Sequence, residues 1–213
     1  MIYKGIWDIA TEYVTGDLVL YNYNYYLAKA TNTNSAPPSS NWKQYSFIQS
    51  ICYILATFME IDSSRVYIYN QDFKIPPIEG LFIVLEEKSS RPFSNTNRFT
   101  ATEEVDSAKE NLSLLTSKTF AIHIFSKNEE ARLRHEEVIM ALNSTLAQEQ
   151  QEIFQYQLGF IPRDFLNLSE LEGAGMLTRF SADIGVNVWR AKDRSVNYFD
   201  TFSDEIVIDQ LEE

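Results

Sequence analysis

The 213-residue chain carries 30 acidic and 18 basic residues, a formal net charge of −12, with 45% hydrophobic and 14% aromatic content. Apolar material suffices for a real core in one domain or two. The acidic balance speaks against a surface that grips nucleic acid through clustered Lys and Arg, and against docking on an anionic membrane. Cys52 is the only cysteine, so no intrachain disulfide can form, which fits folding in a reducing compartment. The opening MIYKGIWDIATEY lacks a basic stretch followed by an apolar one, so no secretory signal is expected. The run FIQSICYILATFMEI is short and contains Gln49 and Glu60, so no membrane span is expected either.

Residues Tyr13 to Trp42 read as strands and turns. TGD supplies a turn in which Gly16 is free to take positive φ. LVLY and YYLAKA are β-rich runs joined at NYN, a hairpin signal. A polar loop stiffened by Pro37 and Pro38 follows, Trp42 closes the segment, and composition breaks near Tyr45. This break divides the chain into a small β module, 1–45, and a larger domain, 46–213.

Ser46 to Ile61 predicts a helix. Ser46 and Gln49 have capping-box spacing, and Phe47, Ile48, Ile51, Cys52, Leu55, Phe58 and Met59 recur at helical period. Strands are expected at Val66–Tyr69 and Leu81–Glu87, the latter too continuously apolar to have a wet face. Arg91 to Ser117 is polar and ambiguous, readable as a long hairpin excursion. Thr119–Ser126 reads as a strand. Ser126 and Glu129 form a second capping-box pair that predicts one helix to about Ala147, burying Ala131, His135, Val138, Ile139, Leu142 and Leu146. Leu158–Asp164 suggests a short strand. Phe180 to Arg190 alternates, with Phe180, Ala182, Ile184, Val186 and Val188 on one side. The end, FSDEIVIDQLEE, is acidic around an Ile-Val-Ile core and is readable as a terminal strand or an arm. The order helix, strands, helix, strands predicts an α+β fold: a mostly antiparallel sheet with two main helices on one face, preceded by a small all-β aromatic module.

The search for chemistry is largely negative. His123 lies within a strand and His135 on a buried stripe, neither at ligand spacing from a Cys or a second His, so no metal site is expected. Cys52 on a greasy helix is a poor nucleophile. GAG at Gly173–Gly175 matches no phosphate-binding loop, and carboxylates are too numerous for any pair to stand out. No catalytic residue, cofactor or enzymatic activity is expected.

Two resemblances add to this reading. Trp7, then Tyr13, Gly16, Asp17, Val19 and Tyr21, then Tyr26 and Ala28, then Pro38 and Trp42 make a pattern that resembles the small chitin-binding module of carbohydrate-binding families five and twelve. In sugar-binding members an exposed aromatic pair follows the Tyr-x-Ala stretch; Lys29 and Ala30 stand there in this chain. The framework aromatics Trp7, Tyr13, Tyr21, Tyr26 and Trp42 fit a core that a module of this size must build from large side chains. Tyr23 and Tyr25 fall at the hairpin tip and are expected to be exposed; a glycan-binding accessory or adhesion role would use Tyr23, Tyr25 and Trp42 as its stacking surface.

From about Ser46 to Phe202, the apolar first helix, VYIYNQDFKIPPIEGLFIVLEE, FAIHIFSKNEEARLRHEEVIMALNS, LGFIPRDFLNLSEL and the long alternating strand resemble, in order and character, neck or tail-terminator proteins of tailed bacteriophages. The resemblance implies a virion structural protein, assembled in the host cytoplasm. It would form a homo-oligomeric, hexameric ring at the head–tail junction, with tail tube, sheath and head-connector proteins as neighbours. Genomic DNA would pass through an acidic lumen without specific binding. The excursion Arg91–Ser117 and the acidic end Asp204–Glu213 are the expected contacts to neighbouring subunits.

Overall fold

The computed structural model describes residues 1–22, 24–69, 80–101, 107–172 and 175–197. The chain first builds a four-stranded sheet in the order β1 (Ile2–Ile6), β2 (Asp17–Tyr21), β3 (Asn24–Ala28), β4 (Trp42–Tyr45). β1 runs parallel to β2 and the other pairs are antiparallel. Gly16, at φ +92°, turns the chain into β2, where Asp17 Oδ2 accepts the Val14 N–H at 3.0 Å. Tyr21 pairs with Asn24, so the two runs joined at NYN form the expected hairpin, with Asn22 at φ +47°.

This small sheet is apolar on both faces. On one face Tyr13, Val19, Tyr26, Ala28 and Trp42 form a cluster of their own, bordered by Trp7 and Tyr21. The Tyr13 and Trp42 rings meet edge-on at 5.3 Å, and Trp42 Nε1 donates to the Ser35 carbonyl at 2.6 Å. The framework aromatics are therefore core. On the other face Leu18, Tyr25, Leu27 and Tyr45 pack into the main core of the larger domain.

α1 (Phe47–Phe58) follows β4 after one residue. The Ser46 N–H donates to Gln49 Oε1 at 2.6 Å, as the sequence spacing predicts. Ser50, Ile51, Ile54, Leu55 and Ala56 make its buried face. The Ser50 hydroxyl sits in that face within hydrogen-bonding distance, 3.1 Å, of the Tyr156 hydroxyl, a partner 106 residues away in sequence. A helical turn capped by Asp62 leads to β5 (Val66–Ile68).

The second sheet has seven strands. Its centre is a trio of long antiparallel strands: β6 (Phe82–Ala101), β7 (Ser107–Ser126) and β11 (Gly175–Asn197). β5 adds in parallel to β6, while β8 (Tyr156–Phe160), β9 (Leu166–Asn167) and β10 (Glu170–Glu172) line the far edge of β11. Register fixes two faces. The rows Ile83–Ile124–Phe180 and Leu85–Ile122–Ala182 point to the helices, and the rows Phe82–Phe125–Arg179 and Val84–His123–Ser181 point away. The alternation expected from Phe180 to Val188 is borne out, all five residues being buried. The architecture is α+β, with helices on one face of a mostly antiparallel sheet and a small sheet before it.

One expectation is corrected. In place of a single helix to Ala147, the chain forms α2 (Glu130–Arg134), α3 (Glu137–Leu142) and α4 (Thr145–Phe154). The second capping box does not form: the buried Ser126 hydroxyl accepts the Ala131 N–H at 2.9 Å, and Asn128 accepts that of Glu130 at 3.0 Å. The main break falls at Asn143–Ser144, where Ser144 takes an extended ψ of 161° and its hydroxyl caps α4 by accepting the Ala147 N–H.

Leu18 belongs to the small sheet by sequence and to the main core by contact, with no exposed surface. Leu18→Ala is expected to cost about 2–5 kcal/mol in the single unfolding transition of the whole chain, followed by urea denaturation with both tryptophan fluorescence and circular dichroism. A separate early transition for the first 45 residues, with the remainder unaffected, would contradict a shared core.

Candidate functional site

Two surfaces stand out. The first begins where the second sheet loses its flanking strands. β5 accompanies β6 only as far as the Ile68–Leu85 pair, and β8 accompanies β11 only from Gly185 to Val188. Outward from Ser89 and Trp189, among the described residues, β6, β7 and β11 pair only with one another, ending at Ala101–Ala108 and Ser107–Asn197. The described parts of the excursion, 91–101 and 107–117, are thus regular parts of a three-stranded arm, and 102–106 lie outside the described residues. At ~3.3 Å per residue the arm extends roughly 35 Å past the body. Phe93, Phe99 and Trp189 are 55%, 60% and 52% exposed on it. Its two lateral edges present backbone N–H and C=O groups, the usual means of adding a foreign strand.

The second surface is a cleft of about 710 Å³ on the sheet face opposite the helices, walled by the segment from Phe160 to Leu168. Cross-strand register places Glu86, His123 and Arg179 together on its floor, although each is on a different strand. Arg179 Nη2 lies 3.3 Å from His123 Nδ1, and His123 Nε2 lies 3.0 Å from Glu86 Oε2. A guanidinium can only donate, so Nδ1 must accept. The imidazole is therefore the neutral Nε2–H tautomer, donating to Glu86. Burial pushes the His123 pKa below its usual value and the nearby Arg179 charge pushes the same way, while the Glu86 hydrogen bond opposes them. Arg179 also lies over the Phe125 ring at 5.1 Å, and its buried Nε has no hydrogen-bond partner. Lys88 and Asp183 close one side as an ion pair at 2.7 Å.

Of the residues expected to form an exposed aromatic surface, Trp42 and Tyr25 are packed inward. Trp42 is buried, 6% exposed, because it seals the small core against Tyr13. Tyr25 is half-buried, its ring 4.7 Å from Phe154 of α4, and burial pushes its hydroxyl pKa up to about 12. Tyr23 lies outside the described residues, as do 204–213. His135 stacks on Phe180 with centroids 4.2 Å apart and planes 6° from parallel, a packing role. The Cys52 thiol is pushed up to about 12 by burial, which removes its nucleophilic character. No metal-binding cluster of His, Cys, Asp or Glu occurs among the described residues. No helix among the described residues is long and apolar enough to cross a membrane.

The cleft trio escaped the sequence reading because its members are separated by 37 and 56 residues and meet only through sheet register. No protein-family model matches the chain, and comparison with curated proteins gives no match.

The lowered His123 pKa has a definite pH signature. An unfolded histidine titrates near ~6.5, and the folded value lies below that. Between the two the unfolded state binds more protons, so stability falls as pH drops through that window. Urea unfolding at about pH 7.5 and about pH 5 is expected to show a larger loss for the wild type than for His123→Gln, which cannot take up that proton. Equal losses in the two proteins would remove His123 as the cause.

Proposed function

We propose that the chain is a structural virion protein of a tailed phage, forming a ring at the head–tail junction that terminates the tail tube or sheath and joins the neck. It works by fitting against copies of itself and its virion neighbours rather than by making or breaking bonds. The observation that carries this reading is the three-stranded arm. Closed rings are built from heterologous contacts, in which one patch on each subunit meets a different patch on the next. An arm about as long as a small domain is wide, with apolar side chains on it and both edges open among the described residues, is suited to one half of such a contact. The glycan-binding alternative is weakened, since Trp42 and Tyr25, two of its three stacking residues, are committed to packing.

Native mass measurement of the purified chain, alone and with tail tubes, tests the reading. A ring-sized oligomer, or a monomer that closes on the tubes, is expected. Phe93→Glu with Phe99→Glu is expected to weaken assembly about tenfold or more, equivalent to ~1.4 kcal/mol per decade. The same pair should change monomer stability by less than about 0.5 kcal/mol, because both side chains are exposed. Particle images that place the chain at a fibre tip, away from the head–tail junction, would overturn the assignment.

A further inference from the structure

The net charge of the chain conceals a segregation. Over residues 89–101, 107–119 and 189–197 the arm carries seven of the 18 basic residues and two of the 30 acidic ones, Glu110 and Asp193, while residues 102–106, which join β6 to β7 in sequence, add Glu103, Glu104 and Asp106. Asp193 is neutralised by Lys109 at 2.6 Å, and Glu110 accepts from Asn97 Nδ2 at 2.7 Å. On β11, Arg190, Lys192 and Arg194 fall at alternate positions and so share one face of the strand. Their registered neighbours on β7 are Leu114, Leu112 and Glu110. At ~3.3 Å per residue, the three charges recur every ~6.6 Å along the open edge. All three are exposed and form no ion pair among the described residues. The amides of Asn95 and Asn97 lie on the same face of β6, paired in register with Leu114 and Leu112.

We propose that this face of the arm binds the phosphodiester backbone of duplex DNA without reading its sequence. A row of unpaired cations flanked by amide donors is the side-chain set that contacts phosphate and sugar. The row runs outward from the base of the arm, with Arg194 roughly 16 Å past Trp189, so its outer members stand off from the acidic body, whose repulsion is screened beyond ~10 Å at ordinary salt. The inference is independent of the ring reading: it needs only the arm. It departs from passage of DNA past a uniformly acidic surface by giving the backbone one point of attraction.

Fluorescence anisotropy with the full chain and a random-sequence duplex of about 30 base pairs, between about 50 and about 200 mM NaCl, tests it. The wild type is expected to bind with steep salt dependence. Combining Arg190→Glu, Lys192→Glu and Arg194→Glu is expected to abolish binding at the lower salt. The triple alanine variant is expected to weaken binding and lower the slope of log affinity against log salt by roughly 3, near 0.9 per phosphate contact. Lys43→Glu, Lys127→Glu and Arg132→Glu together change the net charge equally, at exposed positions on the body, and should leave most of the binding intact. Melting curves confirm that each variant is folded, and the alanine variant carries the test if the glutamate one is not. Absence of wild-type binding at low salt would overturn the proposal, as would equal loss in the body variant. A salt-labile oligomer that the arm variant disperses, with no affinity for the duplex, would overturn it in favour of an acidic partner protein.

Discussion

The register of β6 and β11 on β7 is the constraint from which the rest of the molecule follows. β7 is paired along its length on both sides, to Phe82–Ala101 and to Thr178–Asn197. A slip of one residue on either side would turn Ile83 and Leu85, or Phe180, Ala182 and Ile184, away from the helices and bring Glu86, Arg179 and Asp183 into their place. Burying those charges unpaired is far more costly than any gain from a different strand pairing. The helices can therefore settle on only one face, and the polar groups of the cleft are collected on the other by the same choice.

Along these three strands the source of stability changes. Over the body, side-chain burial dominates: Ile83, Ile122, Ile124 and Ile184 have no exposed surface. Along the arm no helix among the described residues covers the sheet, and cohesion passes to backbone pairing and to cross-strand polar contacts. Asn111 Nδ2 donates to Asp193 at 2.6 Å and Lys109 joins the same carboxylate, while Leu112, Leu114 and Leu115 are only half-buried. A segment held in this way opens more readily than a core. The body supplies rigidity and the arm supplies reach.

Much of the body was legible in the residues. α1 carried a wide apolar arc and a usable cap; β11 alternated cleanly; the framework aromatics of the small sheet formed the core assigned to them. The arm was not legible as strand because periodicity reports burial. SSRPFSNTNRFTA has little apolar alternation, as neither of its faces meets a core, and the backbone ladder that orders it leaves no mark in side-chain chemistry. Tyr25 was misjudged for the opposite reason: the small sheet is buried on both faces, so a tyrosine near a hairpin turn still found a core in Phe154. The kink at Asn143–Ser144 interrupts an otherwise continuous helical period with two residues whose side chains bond back to the Ile139 and Ala141 carbonyls. Of the basic row on β11, the alternation R-x-K-x-R was present in the sequence, but only the strand's extension past Arg190 gives it a face.

The two irregularities of β6 have a consequence for how this arm can change over time. Register shifts between Glu87 and Ser89 and again between Pro92 and Ser94, so one extra residue is accommodated at each place. Each insertion inverts the inside–outside parity of everything beyond it, and the second undoes the first. Lys88 and Phe93 thus act as a matched pair of phase corrections. Losing either alone would turn part of β6 over against an unchanged β7; losing both would shorten the strand and keep its outer half in step. Related chains should differ in β6 length by such coupled steps.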